Sequence, residues 1–97
     1  MAYDPGAIDA TLAAAVGDEP QLIEELRNAF LDGVQRGLTN LEHARDPQDW
    51  RTAAWRLKGL AASFGAVRLM AIATEAADVP PQDMVTLRKL RRAVERL

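Results

Sequence analysis

DPQDWRTAAWRLKGLAASFGA, residues 46–66, is the most informative segment of this chain. Asp46 can cap a helix with its carboxylate. Pro47 suits the first helical position, because its φ is already helical and an N–H there would have no intrahelical partner. Gly65 can adopt the left-handed conformation that ends a helix. The segment therefore predicts one helix between these signals, with Asp49 in the first turn, where the helix dipole favours an anion.

This helix is predicted to have one apolar face and one unusual outer face. At about 100° per residue, the side expected to face the core collects Trp50, Ala53, Ala54, Leu57, Ala61 and Phe64, with Leu60 at its edge. Trp55 lies about 160° from the centre of that stripe, so we expect it to face solvent. Gly59 follows one turn later, although a mid-helix glycine costs roughly 0.5–1 kcal/mol relative to alanine.

An exposed tryptophan beside a bare stretch of backbone favours contact with another surface, since aromatic residues often anchor interfaces. The candidate partner-binding residues on this outer face are Arg51, Trp55, Arg56, Lys58, Gly59 and Ala62. The alternative interpretation is that a neighbouring helix half covers Trp55 and that Gly59 has no role, because single exposed apolar residues are common.

The run AWRLKGLAASFGA, residues 54–66, resembles the signature AHxLKGxxxxxGA of histidine phosphotransfer (HPt) domains. Leu57, Lys58, Gly59 and the pair Gly65-Ala66 match in type and spacing. The resemblance implies a four-helix bundle in which an exposed histidine accepts a phosphoryl group from a receiver-domain aspartate. It also implies that the lysine lies near the phosphoryl oxygens and that the glycine leaves room for the docking receiver.

The histidine position of that signature is occupied here by Trp55. The indole nitrogen is a hydrogen-bond donor only and cannot accept a phosphoryl group. The resemblance therefore implies an HPt-like domain that retains the docking face and lacks the acceptor. Its expected partner is a response-regulator receiver domain or a histidine kinase. Trp55 would be the contact anchor, Gly59 and Ala62 would keep the approach open, and the cations that would face the receiver's acidic pocket are Arg51, Arg56 and Lys58.

Two helices are predicted before this central one. A short N-terminal helix begins at Asp4-Pro5 and stops at Gly17, with an apolar edge formed by Ile8, Leu12, Ala15 and Val16. A long helix runs from an Asp18 cap to about Ala44. Its expected inner face consists of Leu22, Ile23, Leu26, Ala29, Phe30, Gly33, Val34, Gly37 and Leu41. The two glycines of that face are four residues apart, so a neighbouring helix can approach closely there.

Two more helices are predicted after it. The first runs from Ala66 to about Val79, and its apolar residues are Val67, Leu69, Met70, Ile72, Ala73 and Ala76. Pro80-Pro81 ends this helix and starts the last one, which runs to the end of the chain with an inward seam formed by Met84, Leu87, Leu90, Val94 and Leu97. The expected fold is all-α: an antiparallel up-and-down four-helix bundle with a short extra N-terminal helix, in one domain spanning residues 1–97.

Composition narrows the possible functions. The chain has no cysteine, no signal-peptide pattern and no apolar run near the roughly 20 residues of a membrane span, so we expect a cytoplasmic protein without a membrane partner. A net charge of −2 gives no general attraction to nucleic acid. We expect a monomer, although a dimer formed through the exposed outer face of the central helix stays open.

Enzyme chemistry is not indicated. The sequence has no glycine-rich phosphate loop, no clustered metal ligands and no nucleophile with a base at local spacing, so we expect no catalytic residue, no cofactor and no metal. The single histidine, His43, lies on the polar side of the long helix, about 130° from its apolar stripe. The favoured interpretation of His43 is a solvated surface residue.

Two alternatives to a docking module remain. One is an active phosphocarrier that uses His43 or another group, although His43 lacks the following lysine and glycine of the signature. The other is a regulator or adaptor outside phosphorelays, for example on nucleic acid, that uses the basic last helix. The basic residues of this segment are Arg88, Lys89, Arg91, Arg92 and Arg96.

Overall fold

The computed structural model describes residues 10–14, 17 and 19–97. Residues 10–14 are helical, and four longer helices follow: α1 (Pro20–His43), α2 (Pro47–Ser63), α3 (Val67–Ala76) and α4 (Met84–Glu95). These described ranges contain no β-strand, which confirms the all-α prediction for this part of the chain.

The central helix α2 begins and ends as predicted. The carboxylate of Asp46 accepts hydrogen bonds from the backbone amides two and three residues later, at 2.9 and 3.2 Å. At the other end Gly65 has φ +74°, and the amide of Ala66 donates to the carbonyl of Ala61 at 2.9 Å. This is the six-residue hydrogen bond of a Schellman motif, which satisfies a carbonyl that the helix end leaves unpaired. Residues adjacent in sequence to the two helix ends are therefore sufficient to determine where α2 begins and ends.

The apolar face of α2 is buried, as predicted. Trp50 and Leu57 are each 1% exposed, while Leu60 and Phe64 are partly buried at the margin. The indole nitrogen of Trp50 donates to the carbonyl of Ala76 at 2.7 Å. This bond joins the beginning of α2 to the end of α3, so the two helices run in opposite directions. Helix α2 packs against α1 and α3, and α4 packs against α3 and α1.

Close approach of α1 and α2 depends on two glycines. A Cβ placed on Gly33 would lie 3.1 Å from Cδ2 of Leu60, and one placed on Gly37 would lie 3.2 Å from Cδ1 of Leu57. Both distances are shorter than ordinary van der Waals contact, so the prediction of tight packing at this pair is confirmed. The glycines bring the backbone of α1 against leucine side chains of α2, which fixes how α2 presents its outer face.

The N-terminal part of α1 differs from the prediction. The helix begins at Pro20 with Glu19 at the capping position, and the Glu19 side chain makes no capping hydrogen bond. The predicted Asp18 cap lies outside the described residues, as do Asp4-Pro5 and the predicted apolar residues Ile8, Ala15 and Val16. Leu12 is described and is 1% exposed, so the helical residues 10–14 do contribute to the core.

Part of the predicted inner face of α1 was also wrong. Leu22 and Ala29 are exposed, and Leu38, which was not predicted, is buried. The buried stripe follows the three- and four-residue spacing of Phe30, Val34, Leu38 and Leu41. At about 100° per residue Leu22 and Ala29 fall outside that stripe, which explains their exposure.

The segment between α3 and α4 is the main correction. Helix α3 ends at Ala76, three residues before the predicted end, and α4 begins at Met84 and not at Pro80-Pro81. Asp83 caps α4, because its carboxylate accepts from the amide of Thr86 at 3.0 Å and from the Thr86 hydroxyl at 2.7 Å. These hydrogen bonds lower the pKa of Asp83 below its usual range. The capping contribution is therefore present above the unfolded-state pKa and is lost as the pH falls through the folded-state value.

The buried face of α4 differs from the predicted inward seam. Met84 is 72% exposed because it is the first helical residue and lies beyond the packed region, so its predicted core position was wrong. The buried residues are Thr86, Leu87, Leu90 and Ala93, with Val94 and Leu97 partly buried.

Gln82 connects this loop to the end of α1. It has φ +66°, a left-handed conformation that interrupts any helix, and its side-chain amide donates to the carbonyls of Glu42 at 3.0 Å and Ala44 at 2.7 Å. The guanidinium of Arg91 adds a 2.7 Å bond to the Glu42 carboxylate. These contacts hold α4 beside α1.

Candidate docking surface

Trp55 points away from the core. Its relative exposure is 57%, against 1% for Leu57 two residues later. The indole nitrogen of Trp55 has no hydrogen-bond partner among the described residues, whereas that of Trp50 is bonded to Ala76. The two tryptophans of α2 therefore differ completely: Trp50 belongs to the core, and Trp55 is a surface side chain with a free donor.

Four of the predicted residues form one line on the outside of α2. Arg51, Trp55, Lys58 and Ala62 follow one another at spacings of four, three and four residues, which places them on adjacent turns of the same helical face. Arg51, Trp55 and Ala62 are exposed, and Lys58 is half-buried. We call these four residues the α2 strip.

Gly59 lies beside the α2 strip and is open. A Cβ built on Gly59 meets no atom within 4 Å, in contrast to the glycines of α1. No internal contact of the described structure therefore requires glycine at this position. The hydroxyl of Ser63 donates to the carbonyl of Gly59 at 2.9 Å, so that serine is engaged with its own helix.

Substitution of this glycine is expected to stabilise the fold. Gly59→Ala adds a methyl group into open space and reduces the freedom of the unfolded chain, so we expect the free energy of unfolding to rise by about 0.5–1 kcal/mol. The matched control is Gly37→Ala, which places a methyl group against the buried Leu57 and is expected to lower stability. Urea denaturation of both variants measures the difference. A loss of stability for Gly59→Ala would show that the backbone at Gly59 is strained or covered.

Arg56 lies apart from the α2 strip. It is about 100° around the helix from Trp55, on the side of α2 that faces α1. There it lines an open groove of about 480 Å³ whose other lining residues are Gly37, Asn40, His43, Ala44, Asp49, Thr52 and Ala53. The structure thus brings five of the six predicted residues together and places the sixth, Arg56, on the adjacent flank of α2.

The cations of the α2 strip are not neutralised by neighbours. Neither Arg51 nor Lys58 forms an ion pair with any described residue, and Arg56 likewise forms none. On α4, in contrast, Lys89 lies 3.7 Å from Glu75 and Arg91 lies 2.7 Å from Glu42. The outer face of α2 therefore presents positive charge with unused hydrogen-bond donors.

One apolar residue at the beginning of α3 is exposed without having been predicted so. Val67 was predicted only as one of the apolar residues of α3, and it is 65% exposed. It is the first residue of α3, directly after the tight turn that follows Ala62 and Ser63. A helical pattern alone could have placed Val67 outside, because it lies about 160° from the buried Leu69.

His43 is exposed and lines the same groove as Arg56, on the α1 side. Its Nδ1 is 2.8 Å from the carbonyl of Thr39, so the tautomer that makes this bond carries its proton on Nδ1 and leaves the Nε2 lone pair free. The groove contributes one carboxylate, Asp49, and one cation, Arg56. His43 therefore has a free nitrogen, but it lies outside the α2 strip.

Within the described ranges, no three histidine or carboxylate side chains are close enough to hold a metal ion. None of the described helices combines the length and the apolar composition that crossing a bilayer requires. Comparison with known proteins found no match among protein-family models, curated proteins or solved structures.

Proposed function

We propose that this protein is an HPt-like docking module that binds a receiver domain or a histidine kinase and does not itself carry phosphate. In this proposal the four helices form an antiparallel up-and-down bundle, with the N-terminal helical residues packed across it. The single observation that supports it most directly is the exposure of Trp55 at the position where the HPt signature has its phosphoryl acceptor. A protein acting this way would modulate a phosphorelay by occupying a docking surface.

The chemistry of the surface supports binding without phosphotransfer. A large aromatic side chain that is free of internal contacts on one side can bury substantial area in a complex. Gly59 and Ala62 present almost no side chain next to it, so a partner can approach the helix backbone. The unpaired charges of Arg51 and Lys58 complement an acidic pocket, which favours fast and specific association.

Truncation of the aromatic anchor tests the proposal. Trp55→Ala is expected to weaken the complex by about 2 kcal/mol or more, roughly thirtyfold in Kd, because a central aromatic residue contributes this much to a typical interface. Stability should change by about 0.5 kcal/mol or less, since the side chain is exposed. The measurements are calorimetric titration of purified receiver domains and kinases from the source cell, and a thermal scan.

The matched control is Val85→Ala, which truncates a 61% exposed apolar residue on α4. It should leave both the affinity and the melting temperature close to those of the natural chain. Unchanged affinity for Trp55→Ala together with a large fall in melting temperature would contradict the proposal and assign Trp55 to packing.

The second candidate function is an active phosphocarrier that uses His43. The observation that favours it is the Nδ1 contact with Thr39, which leaves Nε2 available for attack on phosphorus. Against it, the nearby Asp49 would repel an incoming phosphoryl dianion, and the α2 strip with its lysine and open glycine lies on another face. Acid-labile phosphate on the natural chain, lost in His43→Gln, would identify this function.

A further inference from the structure

Three hydrogen-bond donors of the α2 strip have no acceptor in the described structure. They are the guanidinium of Arg51, the indole N–H of Trp55 and the ammonium of Lys58. Arg51 and Lys58 are seven positions apart on one helical face, so the three donors extend about 10 Å along the axis. No carboxylate belongs to this line, because Asp49 lies on the groove side of α2. The line is therefore built only of donors, and two of the three are charged.

Such a line matches a ligand that only accepts hydrogen bonds and carries more than one negative charge. A phosphoryl group fits, because its oxygens are strong acceptors and it carries close to two negative charges. An indole cannot receive the phosphoryl group, but its N–H can donate to a phosphoryl oxygen. Trp55 thus has a hydrogen-bond donor at the position where the HPt signature has its nucleophilic histidine.

We infer that the α2 strip binds the phosphorylated form of a receiver in preference to the unphosphorylated form, with the Trp55 N–H and the flanking cations contacting the aspartyl phosphate. The inference rests on the proposed docking function and adds which state of the partner is bound. No bond is made or broken, so the phosphoryl group stays on the receiver aspartate. The module would hold an activated receiver and would not discharge it.

The size of the preference follows from the added contacts. Phosphorylation introduces charge-assisted hydrogen bonds to donors that already lie at the interface, and one such bond is enough for about a tenfold change in Kd. We therefore expect at least tenfold tighter binding of the phosphorylated state at moderate salt. The preference should shrink as salt is raised, because the strip is exposed and its charges are screened.

The experiment uses the full chain and the purified receiver domains of the source cell. Each receiver is titrated with Mg²⁺ alone and with Mg²⁺ plus beryllofluoride, a stable mimic of the aspartyl phosphate. Trp55→Phe keeps the aromatic ring and removes the N–H donor, so it should retain binding of the Mg²⁺ form and lose most of the preference. Lys58→Gln should lose it as well. The charge-matched control is Arg88→Gln on α4, which should keep the full preference.

The possible outcomes separate the two proposals. A receiver that binds equally with and without beryllofluoride would overturn this inference and leave the docking function intact. A preference that survives intact in Trp55→Phe would also overturn it, because the indole donor would then have no part. If no receiver binds in either state, both the docking to receivers and the inference are wrong.

Discussion

Trp50→Ala is expected to remove about 3–5 kcal/mol of folding free energy, which is a large part of the total for a domain of this size. Trp50 is the largest fully buried side chain, so its truncation leaves a cavity where α2 meets α3. It also removes the 2.7 Å bond to the carbonyl of Ala76, one of the links that set the relative position of these helices. Urea denaturation followed by circular dichroism should show a much lower midpoint or no cooperative transition.

Two control variants separate volume from hydrogen bonding. Trp50→Phe retains an aromatic ring and loses the donor, while the Ala76 carbonyl keeps its 3.3 Å bond from the amide of Val79. We therefore expect an intermediate cost of about 1–3 kcal/mol from the lost hydrogen bond and the lost ring volume. Trp55→Ala, which removes the same type of side chain from a position about 140° round the helix, should cost about 0.5 kcal/mol or less. Similar losses for Trp50→Ala and Trp55→Ala would mean that the two faces of α2 were assigned wrongly.

The ends and faces of α2 could be predicted because the residues that determine them are local. Asp46 and Pro47 act within one turn of the helix start, and Gly65 acts within one turn of its end. The exposure of Trp55 follows from its angle relative to Leu57, which depends only on helix geometry. These features need no knowledge of the other helices.

The start of α4 could not be obtained in the same way. Pro80-Pro81 and Asp83 are both plausible helix starts, and the choice is made by contacts across the fold. Gln82 adopts its left-handed conformation while its side chain bonds to carbonyls at the end of α1, about forty positions earlier in the chain. One local signal did point to the right start: Asp83 followed by Thr86 has the spacing of a side-chain cap.

Whether the cations of the candidate surface form ion pairs could be learned only from the structure. The sequence does not separate Lys58 from Lys89, since neither has an acidic residue three or four positions away on its own helix. Neighbouring helices make the difference: α3 places Glu75 beside Lys89, whereas no acidic group is placed beside Lys58. Unpaired cations on α2 are therefore a property of helix packing, and they are what makes the α2 strip suitable for an anionic partner.

Trp55→His is expected to take up phosphate, whereas under the proposed docking function the natural chain takes up none. The substitution places an imidazole at the exposed position of the signature, and an imidazole with its ordinary pKa of about 6.5 is largely neutral at pH 7 and has a nitrogen free to attack. The phosphoryl group would leave the receiver carboxylate as a P–N bond forms, and the carboxylate would be regenerated. Removal of an exposed indole should cost the fold little.

The chain contains the lysine and the glycine that the HPt signature places after its acceptor histidine. Lys58 lies three residues after the new histidine, on the adjacent turn of the same face, and its ammonium is free to contact phosphoryl oxygens. Gly59 leaves the approach open, with no atom within 4 Å of a Cβ built there. No other residue of the signature has to change, so we expect acid-labile labelling from at least one phosphorylated receiver of the source cell.

The substitution His43→Gln, added to Trp55→His in the same chain, identifies which histidine carries any label. Trp55→His combined with His43→Gln should label as well as Trp55→His alone, because His43 lies on another face of the molecule. Label on the natural chain that disappears in His43→Gln would refute the absence of a phosphoryl acceptor. A Trp55→His protein that binds a receiver and never labels would show that the geometry around position 55 differs from that of an active carrier. In that case the cations of the α2 strip serve binding alone.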